Sequence, residues 1–260
     1  MGSIGFLGVG HIAADLVAGL VRAGTEPRTL LLSPRGRETV AALHRRHGVP
    51  VAPDNAALVE ASDMVVLCVR PAAALAALQG LPWRREQLLL SVAAGVPCAA
   101  LAGAAAPAMV VRAMPISAAR LGGSPTTLHP DEPRARAVLT ALGPVLPVAD
   151  ETVFERATIS AAMYGWVHAL IGESTAWLHA AGLDPAQARA LATGTFAAAA
   201  GMVAADDAPV AAMLAALATP GGITEAGLAS LTADGVPAAW REAFDVALAR
   251  VATAAQPRFG

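Results

Sequence analysis

The chain has 260 residues, enough for one large or two modest domains that each bury a core. Eighteen basic side chains against 20 acidic ones leave a formal net charge of -2, which gives no electrostatic reason to expect a nucleic acid or an anionic membrane as partner. All the basic residues are arginine, so no mechanism that needs a lysine base or a Schiff base can run here.

Candidate strands lie at Ile4 to Leu7, Thr29 to Leu32, Met64 to Val69, Leu88 to Ser91, Met109 to Ala113 and Val145 to Val148. Helical periodicity fills the gaps, as in Ile12 to Ala23 and Arg37 to His47. This alternation predicts an α/β domain over 1–150, a Rossmann-type parallel sheet with helices on both faces. Beyond about residue 150 the strand signals stop. Thr152 to His179, Asp184 to Ala204, Val210 to Ala218 and Ala238 to Ala254 carry helical period, which predicts an all-helical domain over 151–260. Its alanine content permits close backbone approach and a bundle shared between chains, a homodimer or larger homo-oligomer.

Much of the hydrophobic share of 55% is alanine, and no unbroken run reaches the roughly 18 apolar residues that a membrane span needs. The chain enters a strand at once, without a basic and apolar leader, so a cytoplasmic protein is expected. Cys68 and Cys98 lie in apolar text and read as buried, reduced thiols. The histidines show no metal-ligand spacing, and no metal is expected.

Gly8-Val9-Gly10-His11-Ile12-Ala13 follows the first strand directly. Glycines here let backbone N–H groups approach a pyrophosphate at a helix N-terminus, and a small third residue allows close helix packing. Gly8, Gly10, His11 and Ile12 are therefore candidate cofactor contacts. Where an NAD site ends its second strand in an acid, this chain has Ser33, with Arg35 and Arg37 just beyond. That arrangement suits a ribose 2′-phosphate, so NADPH is the expected cofactor. In parallel sheets ligands gather past the carboxyl ends of the strands. The loops 69–71, 91–95 and 112–115 occupy such places.

Taken in order, the glycine turn, Ser33 to Arg35, Asp54-Asn55, Val69-Arg70-Pro71, Ser91 to Val96, Arg112-x-Met114-Pro115 and Pro220-Gly221-Gly222-Ile223-Thr224 resemble the pyrroline-5-carboxylate reductase family over nearly the whole chain. The resemblance implies reduction of a cyclic imine in proline biosynthesis with a nicotinamide cofactor, and a helical domain that builds a dimer. It places Asn55, Val69, Arg70 and Pro71 along the cofactor riboses and Ala93 and Ala94 at the nicotinamide edge. It implies substrate contacts from Met114, Ile116, Ser160, Tyr164, Gly222, Ile223 and Thr224, with the 219–224 loop taking a carboxylate. The family usually continues Met-Pro with Asn-Thr-Pro, where this chain has Ile116-Ser117-Ala118. It opens the long helix with Ser-Gly-Ser-Gly-Pro-Ala-Tyr, where this chain has Ser160-Ala161-Ala162-Met163-Tyr164. Both departures fall at the substrate end, and an altered substrate pocket is expected.

Imine reduction needs hydride on carbon and a proton on nitrogen. Tyr164 and His168 stand four apart on one helix face and are candidates to donate or relay that proton, with Glu173 a more distant third and Thr224 a further candidate catalytic contact. The competing reading makes Tyr164, Trp166 and His168 interface or core residues with wet polar tips. Two other functions share the architecture. A hydroxyacid dehydrogenase is disfavoured by the missing lysine, and an NADPH-binding dimer without catalysis would bind the cofactor but oxidise it with no imine.

Overall fold

The computed structural model describes residues 2–254. In chain order the sheet domain runs β1 (Ile4–Leu7), α1 (His11–Arg22), β2 (Leu30–Leu32), α2 (Arg37–His47), α3 (Asn55–Ala61), β3 (Met64–Leu67), α4 (Ala74–Leu78), β4 (Leu88–Ser91), α5 (Cys98–Ala104), β5 (Met109–Met114), β6 (Thr126–His129), α6 (Pro133–Thr140) and β7 (Val145–Pro147). The helices α7 (Glu151–Ala157), α8 (Ser160–Ala180), α9 (Pro185–Ala205), α10 (Val210–Leu217), α11 (Ile223–Ala233) and α12 (Val236–Ala254) follow. Contacts divide the chain into one unit up to Ala161 with the final turns from Leu248, and a second over Ala162–Ala247.

The sheet order is β2-β1-β3-β4-β5-β6-β7. The first five strands are parallel, and every position of β1, β3 and β4 is buried, as a sheet covered on both faces requires. The period of two sorts their side chains into two cores. Ile4, Phe6, Met64, Val66, Leu88 and Leu90 face one core, while Leu7, Val65, Leu67 and Leu89 face the other. Strand order reverses between β1 and β3, so the ligand crevice of such a sheet lies at the carboxyl ends of those two strands.

The sheet is not wholly parallel. Thr126–His129, which has no apolar run and was not anticipated as a strand, pairs antiparallel with β5, and the expected last strand pairs with it in turn. Ser124 and Thr126, both fully buried, join hydroxyls at 3.1 Å beneath this added strand. The expected single helix from Thr152 to His179 is two helices. Asp150 caps α7 by accepting the Val153 N–H at 3.0 Å, and the Thr158 hydroxyl donates to the Glu155 carbonyl at 2.6 Å where α7 stops.

The second unit is a set of helices with little interior of its own. From α8 to α12, among the described residues, only Ala188 and Ala192 are buried, while Trp177, Met202, Leu217 and Ile223 are exposed. One internal joint is aromatic: Trp166 on α8 meets Trp240 and Phe244 of α12 edge-on, with centroids 5.6 and 5.0 Å away. By length and composition alone α9 is long and apolar enough to cross a membrane, although it contains no unbroken apolar run of that length. Alanine carries this window, whereas the count of unbroken apolar residues is interrupted by Arg189, Thr193 and Thr195.

Gly19 shows how tightly α1 is seated. A Cβ there would overlap the Ala119 carbonyl oxygen and stand 2.6 Å from Leu142 Cδ2. Gly19→Ala should therefore destabilise the protein by about 1–3 kcal/mol in denaturant unfolding. Gly103→Ala, at an exposed position of α5 with no atom near the added methyl, should instead stabilise by about 0.5–1 kcal/mol.

Candidate active site

At the carboxyl end of β1 the chain turns through Gly8, whose φ of 89° lies in the left-handed region. A Cβ on Gly8 would stand 2.5 Å from Val69 Cγ1 and 3.1 Å from the Val69 backbone nitrogen, so the turn closes directly against the end of β3. Its N–H donates to Ser33 Oγ at 3.0 Å, and the Ser33 N–H donates to the Phe6 carbonyl at 3.0 Å. Ser33 is fully buried. Its hydroxyl oxygen accepts from the turn, and beyond it the exposed Arg35 and Arg37 carry the charge.

Gly36 brings that charge in. Its φ is 88°, and a Cβ there would stand 2.5 Å from the Val9 carbonyl oxygen, so only glycine lets the arginine loop close on the glycine turn. Gly10 behaves in the opposite way: it is exposed and a Cβ would meet no protein atom within 4 Å. The space it leaves fits a pyrophosphate. Gly10 caps α1 without a side-chain hydrogen bond, and the first helical turn holds no acid, so the positive end of the helix stays open to an anion. His11 is exposed and Ile12 half-buried on that turn. These residues fit a dinucleotide.

The other cofactor candidates follow the sheet edge. Val51 bridges to Leu32, bringing half-buried Asn55 at the start of α3 alongside the end of β2, and Asp54 caps that helix through the Ala57 N–H at 2.8 Å. Val69 and Pro71 are half-buried and Arg70 exposed past β3. Past β4, the Ala93 N–H donates to Ser91 Oγ at 3.3 Å, with Ala93 buried and Ala94 half-buried. Past β5, Met114 is buried, and half-buried Ile116 donates its N–H to Ser124 Oγ at 2.9 Å.

The expected strand Met109 to Ala113 runs one residue further, so Met114, placed in the 112–115 loop, is the last residue of β5. The Arg112 guanidinium is 1% exposed, with Nη1 2.7 Å from Glu151 Oε1 and 2.5 Å from Glu155 Oε1. It also lies 4.7 Å over the Phe154 ring. This cluster was missed in the sequence, although an arginine within Met-Val-Val-Arg-Ala-Met needs a buried partner. Burial alone would raise the Glu151 carboxyl, but the Cys98 N–H and Arg112 outweigh it and hold Glu151 below the usual carboxylate range. Cys98 is thus not surrounded by apolar groups alone. Burial, aided by Glu151, pushes its thiol up to about 12, and burial also raises Cys68.

The remaining candidates, Ser160 apart, belong to the second unit. Ser160, half-buried, opens α8. On that helix the Tyr164 and His168 rings meet edge-on at 4.4 Å, and His168 Nδ1 donates to the Tyr164 carbonyl at 2.8 Å. Nε2 is thereby the nitrogen left for a ligand. Glu173 on the same helix is exposed. In the 219–224 loop the Gly222 N–H donates to the Thr219 carbonyl at 2.9 Å, and the Gly221 N–H donates to Glu225 Oε2 at 2.7 Å. Two N–H groups expected to face an anion are thus spent on closing the turn. The amides of Ile223 and Thr224 and the Thr224 hydroxyl are left at the α11 N-terminus, with Ile223 93% exposed.

Residues 3–95 match a family described as NADP oxidoreductase, coenzyme F420-dependent, and residues 154–254 match the pyrroline-5-carboxylate reductase dimerisation domain. The pyrroline-5-carboxylate reductase of Pseudomonas aeruginosa is 31% identical, over 97% of each chain. The chain belongs to the pyrroline-5-carboxylate reductase family. A Methanosarcina acetivorans member is 27% identical over 92% of this chain and 93% of its own. In fold, a Plasmodium falciparum pyrroline carboxylate reductase solved with NADP bound superposes with a TM-score of 0.88 at 20% identity, covering 98% of each chain. An Aspergillus terreus reductive aminase solved with NADPH reaches 0.56 at 17% identity, covering 78% of this chain and 75% of its own.

Ser33→Ala tests the turn that this family member builds without an acid. Leaving the Gly8 N–H without its acceptor should cost about 1–3 kcal/mol in unfolding and raise the dinucleotide Kd measured by calorimetry.

Proposed function

We propose that this chain reduces a cyclic imine with NADPH, using a pocket altered at its substrate end. The observation that carries the proposal is the arginine loop closed on the glycine turn through Gly36, which gives the dinucleotide site two guanidinium groups and no acid at the second strand. Family membership supports the reaction class. In this reading the turn and the α1 N-terminus hold the pyrophosphate, Arg35 and Arg37 meet the 2′-phosphate, and Asn55, Val69, Arg70 and Pro71 line the riboses.

The bound nicotinamide supplies the hydride. Ala93 and Ala94 border its ring with small side chains, leaving room for a substrate plane against it. As hydride reaches the imine carbon, the C=N π bond becomes a nitrogen lone pair and takes one proton. The Tyr164 hydroxyl donates that proton when the imine arrives neutral, with a protonated His168 returning it through Nε2; an iminium needs no donor. Ile223 and Thr224 would bind a substrate carboxylate at the α11 N-terminus. Met114, Ile116, Ser160 and Gly222 complete the proposed pocket, and Ile116, where the family's usual sequence has asparagine, makes it less polar.

A second copy of this chain is the proposed partner of the helical unit. The exposed apolar residues of α8 to α12 and the dimerisation-domain match support it. Sedimentation should then show dimers or larger assemblies at micromolar concentration; a monomer would remove this partner.

Arg35→Asp should raise KM for NADPH by about tenfold or more while changing KM for NADH little, because a guanidinium–phosphate contact is lost in the first case alone. Equal effects would remove Arg35 from the 2′-phosphate. Steady-state NADPH oxidation against cyclic imines with and without a carboxylate tests the substrate. Turnover should favour the imine acids and fall for Tyr164→Phe with a neutral imine, and no oxidation with any imine would overturn the proposed reaction.

A further inference from the structure

The buried cluster around Arg112 is not used by the chemistry above, and its connections run to that chemistry. Glu151 Oε1 accepts from Arg112 Nη1 at 2.7 Å and from the Cys98 backbone N–H at 2.7 Å. Arg112 pairs in register with Ser91, the last residue of β4, and stands two residues before Met114. Ser91 and Cys98 are the two ends of the loop that contains Ala93 and Ala94. One end is set by the sheet and by the Ser91 hydroxyl on the Ala93 N–H, the other by the Glu151 carboxylate.

We infer that Glu151, oriented by Arg112, is a positioning residue that holds the 92–98 loop in place beside β5 for hydride transfer. The physical reason is the difference between the two carboxylates. Glu155 shares the guanidinium, so Arg112 keeps a carboxylate partner whatever Glu151 does, and a second carboxylate is not needed for neutrality. Glu151 alone reaches across to the start of α5. Phe154 covers the guanidinium face, and Arg112 Nε and Nη2 make no hydrogen bond, so the arginine's geometry is held by its two carboxylates and this ring. A charge-assisted bond from a rigid buried donor fixes the carboxylate more tightly than an exposed pair would.

This inference rests on the reading that the 92–98 loop borders the nicotinamide, and the test separates the two. In cofactor-free protein, Glu151→Ala should speed amide hydrogen exchange in a peptide covering 92–98 by about tenfold, with the rest of the sheet domain unchanged. In turnover it should lower kcat by about tenfold and leave KM for NADPH within about twofold, since the pyrophosphate and adenosine contacts are untouched. Glu151→Gln, whose amide oxygen still accepts from Cys98 and Arg112, should restore both. Glu155→Ala, which does not touch the loop, should leave exchange at 92–98 unaltered. Should Glu151→Ala fail to fold, Glu151→Asp, which keeps the charge but withdraws it by one methylene, should still raise exchange at 92–98. Unaltered exchange overturns the inference, as does equal loosening by the Glu155 variant. Faster exchange with unchanged kcat overturns the placement of Ala93 and Ala94 at the nicotinamide, and the catalytic role of Glu151 with it.

Discussion

At the end of β1 the backbone comes so close to β3 that Gly8 has no room for a side chain, and its amide turns onto the Ser33 hydroxyl. This single close approach joins the three strands at the switch point: β1 through the turn, β2 through Ser33 and β3 through Val69. The second close approach, Gly36 against the Val9 carbonyl, then seats the arginine loop on the same turn. Two glycines with positive φ are pressed against backbone or side chain, and the third, Gly10, faces open space. Two build the site and one leaves room for its occupant.

Buried charge is organised just as economically. A guanidinium inside an apolar strand is tolerated because two carboxylates on α7 and the face of Phe154 receive it. Such clusters add little net stability against a hydrophobic replacement, since desolvation offsets most of the attraction. What this one adds is direction. It ties the connection leaving the sheet domain to β5 and reaches the loop past β4, the loop proposed to border the nicotinamide.

The helical unit obeys a different constraint. Its helices carry apolar residues around most of their circumference, and the chain by itself buries almost none of them. Such surface is costly in water, and for this reason the proposed partner is a second copy and not a ligand. The apolar length of α9 has the same origin: alanine and leucine suited to close helix packing also satisfy a hydropathy window.

Much of this was legible in one dimension. The strands Ile4–Leu7 and Leu88–Ser91 and the helix Arg37–His47 follow from apolar runs and periodicity, because central parallel strands are buried on both sides and declare themselves. The glycine turn was legible because at Gly8, with its positive φ and its close approach to Val69, no other residue type serves. The antiparallel strand at Thr126–His129 was not, since its stability comes from the ladder to β5 and from hydroxyls buried beneath it. The hydrogen bond from the Gly8 amide to the Ser33 hydroxyl was not legible either, since it joins residues 25 apart in the chain. Glu225 closing on Gly221, and the convergence of Arg112, Glu151, Glu155 and Cys98 from three elements, likewise depend on contacts that local sequence does not encode. Local pattern governs which segments become strand or helix, because burial on a face repeats with the period of the element. The partner of each polar atom depends on which distant segment packs against it, and that is a property of the folded chain.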